Sequence, residues 1–193
     1  MEYNSWLYAV AFLGCAVLLY YAFPPRLRWG VLLAASAVFY LFSSRQLILV
    51  MLLSAVIIYC GALELDRGEK RYRQQKAALS KEERKRLRER LTAHNRHVLA
   101  ACLAAAFGIL FFFKYFNFAG ANLNLLFASL RLPLRIPALH LLMPLGISFY
   151  TLSAVSYLAD VSRGTCEAQR NFAKLLLFLL FFPVITEGPI SRY

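Results

Sequence analysis

The sequence predicts an all-α, polytopic transmembrane helical protein with about six apolar helical segments. Of its 193 residues, 60% are apolar and only 17% are charged, and the mean hydropathy is +0.55, well above that of soluble domains. The apolar residues fall in uncharged runs that are too long for core strands. The charges gather in one stretch between these runs, so a single soluble domain is not expected.

Residues 1–63 form the first predicted region and hold three membrane segments. The run 5–23 has no charge and carries aromatic residues at both rims, and Pro24 and Pro25 end it. The run 29–42 holds only 14 residues, about 21 Å of helix, so it crosses a bilayer only with thinning, snorkelling or a re-entrant path. The run 46–63 follows a short turn, and the runs 29–42 and 46–63 together predict a helical hairpin.

Residues 64–97 form the second predicted region, a basic loop. This stretch holds 12 of the 22 Lys and Arg residues and six acidic residues, a net charge of +6. The positive-inside rule places it in the cytoplasm and the N-terminus outside. Ser80 and Glu83 have the spacing of a capping box, which predicts a polar helix from Lys81. Nucleic-acid binding is not expected, because Tyr72 is the only aromatic residue here and no recognition motif is present.

Residues 98–193 form the third predicted region and hold the remaining membrane segments. The run 98–113 closes at Lys114, and the mixed segment 117–137 suits an interfacial helix or loop. The run 139–159 is interrupted by Pro144 and Gly146, and a last run extends from about residue 174 to 186. The interruptions predict a bent or broken helix.

One face of the segment 139–159 is unusually polar. At 100° per residue, that face collects four hydroxyl-bearing side chains and one carboxylate, namely Tyr150, Ser153, Ser156, Tyr157 and Asp160. Such a stripe inside lipid must contact protein or water. Two interpretations stay open: hydrogen bonding between helices, or the lining of a cavity for a polar substrate with Asp160 at its cytoplasmic mouth.

A second candidate is Glu187, which follows twelve uncharged residues and precedes a Gly-Pro break. An ionisable residue at membrane depth is a functional candidate, but Glu187 is equally compatible with an outer interfacial position beside Arg192. No metal site and no catalytic residue are predicted, because the four cysteines lie more than forty residues apart and the three histidines lack a catalytic neighbour.

Three stretches resemble the membrane-bound O-acyltransferase (MBOAT) family, in the order in which that family has them. They are FFFKYFNF at 111–118 followed by Asn122 and Asn124, MPLGISFYTLSAVSYLADVSRG at 143–164, and FFPVITEGPISRY at 181–193. The chain is most similar to the bacterial branch that includes the alginate O-acetyltransferase membrane subunit and the protein that moves D-alanine to teichoic acids.

The resemblance implies an incomplete MBOAT-like bundle with a central tunnel, in the plasma membrane of a bacterium. Through such a tunnel, an acyl group, acetyl or similar, from a thioester donor on the cytoplasmic side reaches hydroxyls of a cell-surface polysaccharide. The donor would be acyl-CoA or an acyl-carrier protein, acting as substrate, and no bound cofactor is expected. Residues that match the family motifs are candidates for lining the tunnel: Tyr150, Ser153, Tyr157, Asp160, Glu187 and Arg192.

The family's catalytic His lies in its later half, and none of His94, His97 and His140 matches it. We therefore expect the chain to be the N-terminal part of such an enzyme and assign it no catalytic residue. Expected partners are the lipid bilayer and either a cytoplasmic acyl-carrier protein, docking near the basic stretch 67–96, or an extracytoplasmic acyl-accepting protein. The alternatives are a non-catalytic membrane scaffold, a transporter component, or an inactive truncated fragment.

Overall fold

The computed structural model describes residues 12–44, 47–75, 80–130, 132–139 and 146–185. These residues contain helices and connecting segments, and no β-strand occurs among them, so the all-α prediction is confirmed there. In chain order the helices are α1 (Gly14–Ala22), α2 (Arg28–Ser44), α3 (Ile48–Gln75), α4 (Lys81–Ser129), α5 (Ile147–Arg163), α6 (Phe172–Leu180) and α7 (Phe182–Ile185).

Two helices, α3 and α4, are long and apolar enough to cross a membrane, judged by length and composition. A shorter apolar stretch lies in α2, at Arg28–Phe42. Six apolar spans are not confirmed among the described residues. The helix α1 has nine residues, and residues 1–11 lie outside the described residues. The last run is divided at Phe181 between α6 and α7.

Helix ends follow the local signals in three places. Because Pro24 and Pro25 cannot continue a helix, α1 ends at Ala22 and α2 starts after the turn. The break predicted in the fifth run is also present, since α5 starts at Ile147 after Gly146, whose φ of 65° is left-handed. At Ser80 the capping box is complete: its hydroxyl accepts from the Glu83 amide at 3.3 Å, and the Glu83 carboxylate accepts from the Ser80 amide at 2.9 Å.

The described part of the basic region is mostly helical, and the polar helix predicted from Lys81 is present. The helix α3 continues through its charged half to Gln75, and α4 starts at Lys81. The fourth apolar segment likewise does not end at Lys114, because α4 passes through this residue and through most of 117–137 as far as Ser129. Lysine and asparagine are tolerated inside helices, and the first strong helix breaker in this stretch is Pro133.

Small residues let α3 and α4 pack closely as a hairpin. A Cβ atom added at Gly61 would collide with the Sγ of Cys102, and one at Gly68 would lie 2.7 Å from a methyl carbon of Leu91. These glycines are seven residues apart and so lie on one side of α3. Cys102 is buried at this contact, as expected for a cysteine that acts as a small apolar residue.

The segment 132–139 is extended and lies along the second half of α4. Two asparagines on α4 hold its backbone. The carboxamide of Asn117 donates to the carbonyl of Leu139 at 2.6 Å and accepts from its amide at 2.9 Å. Asn124 does the same with Ile136, at 2.9 Å and 2.8 Å. We call these four bonds the asparagine ladder; between the two asparagines, Gly120 leaves room for the Ile136 side chain.

The core lies where α5 packs against α3, α4 and α6. Its fully buried members come from four of the helices, and they are Tyr40, Met51, Ile58, Leu65, Tyr157, Leu158, Val161, Leu175 and Leu180. Helix α5 is held at its C-terminal end by Gly164, whose φ is 73°. The amides of Gly164 and Thr165 bond the carbonyls of Val161 and Asp160, each at 3.0 Å, the pattern of a Schellman motif.

Candidate functional site

The polar face predicted for the fifth segment is the inner face of α5. Tyr150, Ser153 and Tyr157 are 3%, 5% and 0% exposed, and Asp160 is half-buried. Ser156 is half-buried as well, so the structure places all five residues of the predicted face on α5, with three of them in the core. This face contacts protein, which satisfies the requirement that a polar stripe within lipid meet protein or water.

Tyr150 meets polar side chains from α2 and α3. It interacts electrostatically with Tyr40 of α2, and among the described residues neither buried hydroxyl has a partner in full hydrogen-bond geometry. Ser54 of α3 lies beside Tyr150 but donates its proton to the carbonyl of Val50, at 2.9 Å. We call Tyr40, Ser54 and Tyr150 the hydroxyl cluster. Buried hydroxyls without partners are costly, by about 1–3 kcal/mol each, and are unusual in a purely structural core.

Sequence reasoning missed the contributions of α2 and α3 to this cluster. A weak signal existed in α2, because Ser36 and Tyr40 are four residues apart and therefore share one face of an otherwise apolar run. Ser36 is fully buried, and its hydroxyl accepts from the amide of Phe182 at 3.3 Å. The Ser36 contact ties α2 to the start of α7.

Tyr157 has a different environment from Tyr150. Its hydroxyl accepts from the backbone amide of Gln169 at 2.8 Å, and its ring lies 6.3 Å from that of Phe178, measured between centroids. These contacts connect α5 with the segment 164–171 and with α6. Tyr157 thus makes a structural hydrogen bond between α5 and this connection, and its lining role stays a prediction.

Asp160 lies towards the charged end of the helices. Among the described residues, no cationic side chain lies within 4.0 Å of its carboxylate. Cys166 is its neighbour in the connection between α5 and α6. Burial, and then the negative charges of Asp160 and Asp66, raise the pKa of the Cys166 thiol. Asp160 is thus a carboxylate without a cationic partner in the described part of the chain, beside a thiol held in its neutral form.

A network of ion pairs joins the charged half of α3 to the connection between α5 and α6. The Nζ of Lys70 lies 2.7 Å from the buried carboxylate of Asp66 and 2.9 Å from the exposed carboxylate of Glu167. Both hydrogen bonds, that to Asp66 first, raise the pKa of Lys70. Arg88 of α4 contacts Glu69 at 2.7 Å. The sequence signal was the spacing of Asp66 and Lys70, four residues apart on a helix.

Several other predicted positions contribute little or lie outside the described residues. Glu187 and Arg192 are among the latter, as is His140, so the lining roles of Glu187 and Arg192 stay predictions. His94 and His97 are exposed, and the Nε2 of His94 lies 3.7 Å from a Glu64 carboxylate oxygen. In the described ranges, no three His, Cys, Asp or Glu side chains come together in a way that could hold a metal ion.

Comparison with known proteins relates the whole chain to enzymes of the bacterial envelope. It is 30% identical to a probable alginate O-acetylase, AlgI, of Azotobacter vinelandii over 193 residues, 100% of this chain and 34% of that protein. It is 28% identical to the peptidoglycan O-acetyltransferase of Helicobacter pylori, covering 95% of this chain and 34% of the relative. A 57-residue stretch, 30% of the chain, is 40% identical to the teichoic acid D-alanyltransferase of Bacillus subtilis, covering 14% of it.

The chain spans about a third of the length of the two relatives that align with nearly all of it. No family model matches the sequence, and no solved structure matches it. The relatives are membrane proteins, in agreement with the two apolar helices α3 and α4. Because the whole chain aligns with an alginate O-acetylase at 30% identity, and proteins named for peptidoglycan O-acetyl transfer and teichoic acid D-alanyl transfer are also among its relatives, the chain belongs to the membrane-bound O-acyltransferase family.

Proposed function

We propose that the chain is the N-terminal part of a membrane-bound O-acyltransferase. The complete enzyme would transfer an acetyl or similar acyl group across the membrane to hydroxyls of a cell-surface polysaccharide. The observation that carries this proposal is the alignment of all 193 residues with an alginate O-acetylase at 30% identity. The peptidoglycan and teichoic acid enzymes among the relatives extend the support to other envelope acceptors.

The contribution that we propose for this part of the enzyme is a polar wall for the acyl path. The hydroxyl cluster supports this role, because Tyr40 and Tyr150 carry hydroxyls that have no partner in the described residues. A small polar group that enters between α2, α3 and α5 would supply the missing hydrogen bonds. Ser153 and Asp160 would extend the same wall along α5, and Glu187 and Arg192, outside the described residues, remain candidates for lining the path.

The acyl donor in this proposal is a cytoplasmic thioester, either acyl-CoA or an acyl-carrier protein. The charged halves of α3 and α4 support a docking site for an acidic carrier, since residues 64–97 have a net charge of +6. The basic region then lies in the cytoplasm and the N-terminus outside, in a bacterial plasma membrane. A second partner is an extracytoplasmic protein that accepts the acyl group before the polysaccharide does.

The first test is the intact mass of the native protein. Extracted from its own membrane, it should have a mass well above the 22.0 kDa of this chain. The second is transfer of a labelled acetyl group from a thioester to envelope polysaccharide, measured as alkali-labile label in membranes that contain the native protein. A mass of 22.0 kDa, or membranes that form no O-ester with acetyl or D-alanyl donors, would overturn the proposal.

Conservative variants in the native protein test the polar wall. Tyr150→Phe and Tyr40→Phe should each reduce transfer by roughly tenfold, the rate effect of losing about 1.4 kcal/mol of transition-state stabilisation. The control is Tyr115→Phe, because Tyr115 is exposed on α4 and lies outside the cluster. Equal rates for Tyr150→Phe and the control would remove Tyr150 from the acyl path while leaving the family assignment intact.

A further inference from the structure

A cavity of about 440 Å³ opens beside the charged half of α3, where that helix meets the start of α6. Its wall has an apolar part and a cationic part. Tyr59 and Leu63 form an apolar part, and four cationic side chains form the other part: Arg67, Lys70, Arg71 and Arg170. Asp66 is the acidic residue among the lining side chains. Neither the hydroxyl cluster nor the proposed acyl path includes this cavity.

Two of the four cations have no acidic partner in the described part of the chain. Lys70 is occupied, since it pairs with both Asp66 and Glu167, and Arg67 has a long contact of 3.5 Å to Glu64. In contrast, no carboxylate of the described residues lies within 4.0 Å of Arg71 or Arg170. Two free guanidinium groups at one cavity complement a phosphate, which arginine binds through paired N–H donors.

Along α3 the residues change from apolar to cationic, in the order in which a lipid changes from acyl chain to phosphate. Residues 48–63 carry no charge, and Tyr59, Leu63, Arg67 and Arg71 follow at intervals of four, which places them along one side of the helix. The apolar wall continues onto α6, because the Tyr59 ring packs edge-on against Phe172 with 5.4 Å between centroids. An acyl chain would lie along this apolar wall while the phosphate contacts the arginines.

Arg170 is held in place by the same tyrosine. The hydroxyl of Tyr59 donates to the backbone carbonyl of Arg170 at 2.6 Å, so the connection between α5 and α6 is fixed against α3 at the rim of the cavity. The ion pair between Lys70 and Glu167 adds a second attachment. The cationic rim is therefore organised before a ligand arrives, which reduces the entropic cost of binding.

We infer that this cavity binds the phosphate of an anionic phospholipid from the leaflet that surrounds the charged end of α3. Basic pockets between membrane helices are suited to such headgroups. A soluble phosphate compound would use the arginines but leave the apolar wall empty. The inference requires a membrane location but does not depend on acyl transfer, so the two can fail separately.

Binding can be measured on the whole protein in nanodiscs of phosphatidylcholine, with phosphatidylglycerol titrated in and bound lipid counted by native mass spectrometry. The double variant Arg71→Gln/Arg170→Gln should weaken retention of phosphatidylglycerol by about tenfold or more. The matched control is Arg86→Gln/Arg90→Gln, which removes the same charge from exposed positions of α4 outside the cavity. The control should change retention less than about twofold, since a long-range effect of charge is screened by salt.

An equal loss of phosphatidylglycerol retention in the two double variants would mean that the lipid is attracted non-specifically, and it would overturn the inference. Displacement of the lipid by inorganic phosphate or by coenzyme A at comparable concentrations would assign the site to a soluble phosphate compound and would overturn it too. A measurement on the unmodified protein does not depend on how the variants fold. A photoactivatable phosphatidylglycerol should crosslink to peptides that contain residues 59–71 or 170, and crosslinks that fall only elsewhere contradict the inference.

Discussion

The asparagine ladder allows a sharp test of how the segment 132–139 is held. The change is Asn124→Leu, which removes the bond donated to the carbonyl of Ile136 and the bond accepted from its amide, at 2.9 Å and 2.8 Å. A net stabilisation of about 1 kcal/mol for each hydrogen bond gives about 2 kcal/mol for the pair. This free energy corresponds to roughly a 30-fold change in the ratio of docked to undocked segment.

Hydrogen exchange followed by mass spectrometry measures that ratio, because amides of 132–139 exchange when the segment leaves α4. We expect the peptide that contains Ile136 to exchange faster in Asn124→Leu by roughly the same 30-fold. The control is Asn122→Leu, since the Asn122 amide donates only to the carbonyl of Phe118 on its own helix, at 2.8 Å. Unchanged exchange in Asn124→Leu, or an equal increase in the control, would refute the reasoning.

Two further predictions concern helix packing and the buried tyrosines. Gly61→Ala should destabilise the protein by about 1–3 kcal/mol, because the new methyl group meets Cys102. The control is Gly108→Ala, which should leave stability equal or higher because nothing lies within 4 Å of the added atom. Equal midpoints of thermal unfolding for the two variants would contradict this prediction. Tyr157→Phe should lower the midpoint of thermal unfolding, since it removes a bonded hydroxyl. Tyr150→Phe removes a hydroxyl that has no partner among the described residues and should maintain or raise the midpoint.

Helix ends were predictable where a single residue type determines the local backbone conformation. Proline cannot donate the bond that a helix needs, so the end of α1 before Pro24 follows from sequence. Gly146 accepts a left-handed conformation at low cost, which explains the start of α5. The Ser80 capping box needs only two side chains three residues apart. In each case the deciding interaction is local.

Helix continuity was harder to predict than helix ends. A charge at Lys114 suggested the edge of a membrane segment, yet the long lysine side chain extends towards Ser148 of α5, with 3.5 Å between Nζ and Oγ, and the helix continues. The extended segment after α4 depends on the asparagine ladder, whose partners lie 12 and 22 residues apart. The sequence contains the asparagines, but their partners become evident only when the chain is folded.

In the candidate site, too, local features could be predicted from the sequence and contacts between distant residues could not. The polar face of α5 could be derived from spacing alone, because Tyr150 and Tyr157 are seven residues apart on one helix. Spacing could not show that Tyr157 has a backbone partner, the amide of Gln169, whereas Tyr150 has none in the described part of the chain. Nor could it show that Tyr40, 110 residues away in sequence, contributes a second such hydroxyl. Contacts between distant segments therefore decide which polar residues are structural and which are available to a ligand.

The continuity of α4 also has a mechanical consequence. Its 49 residues extend about 73 Å at the usual rise per residue, more than twice the thickness of a bilayer's hydrocarbon core. Such a rod cannot turn or tilt at Lys81 without moving Asn117 and Asn124 at the other end. A protein that binds the charged end and tilts the helix would therefore also displace the segment 132–139, which the asparagine ladder attaches to its far end.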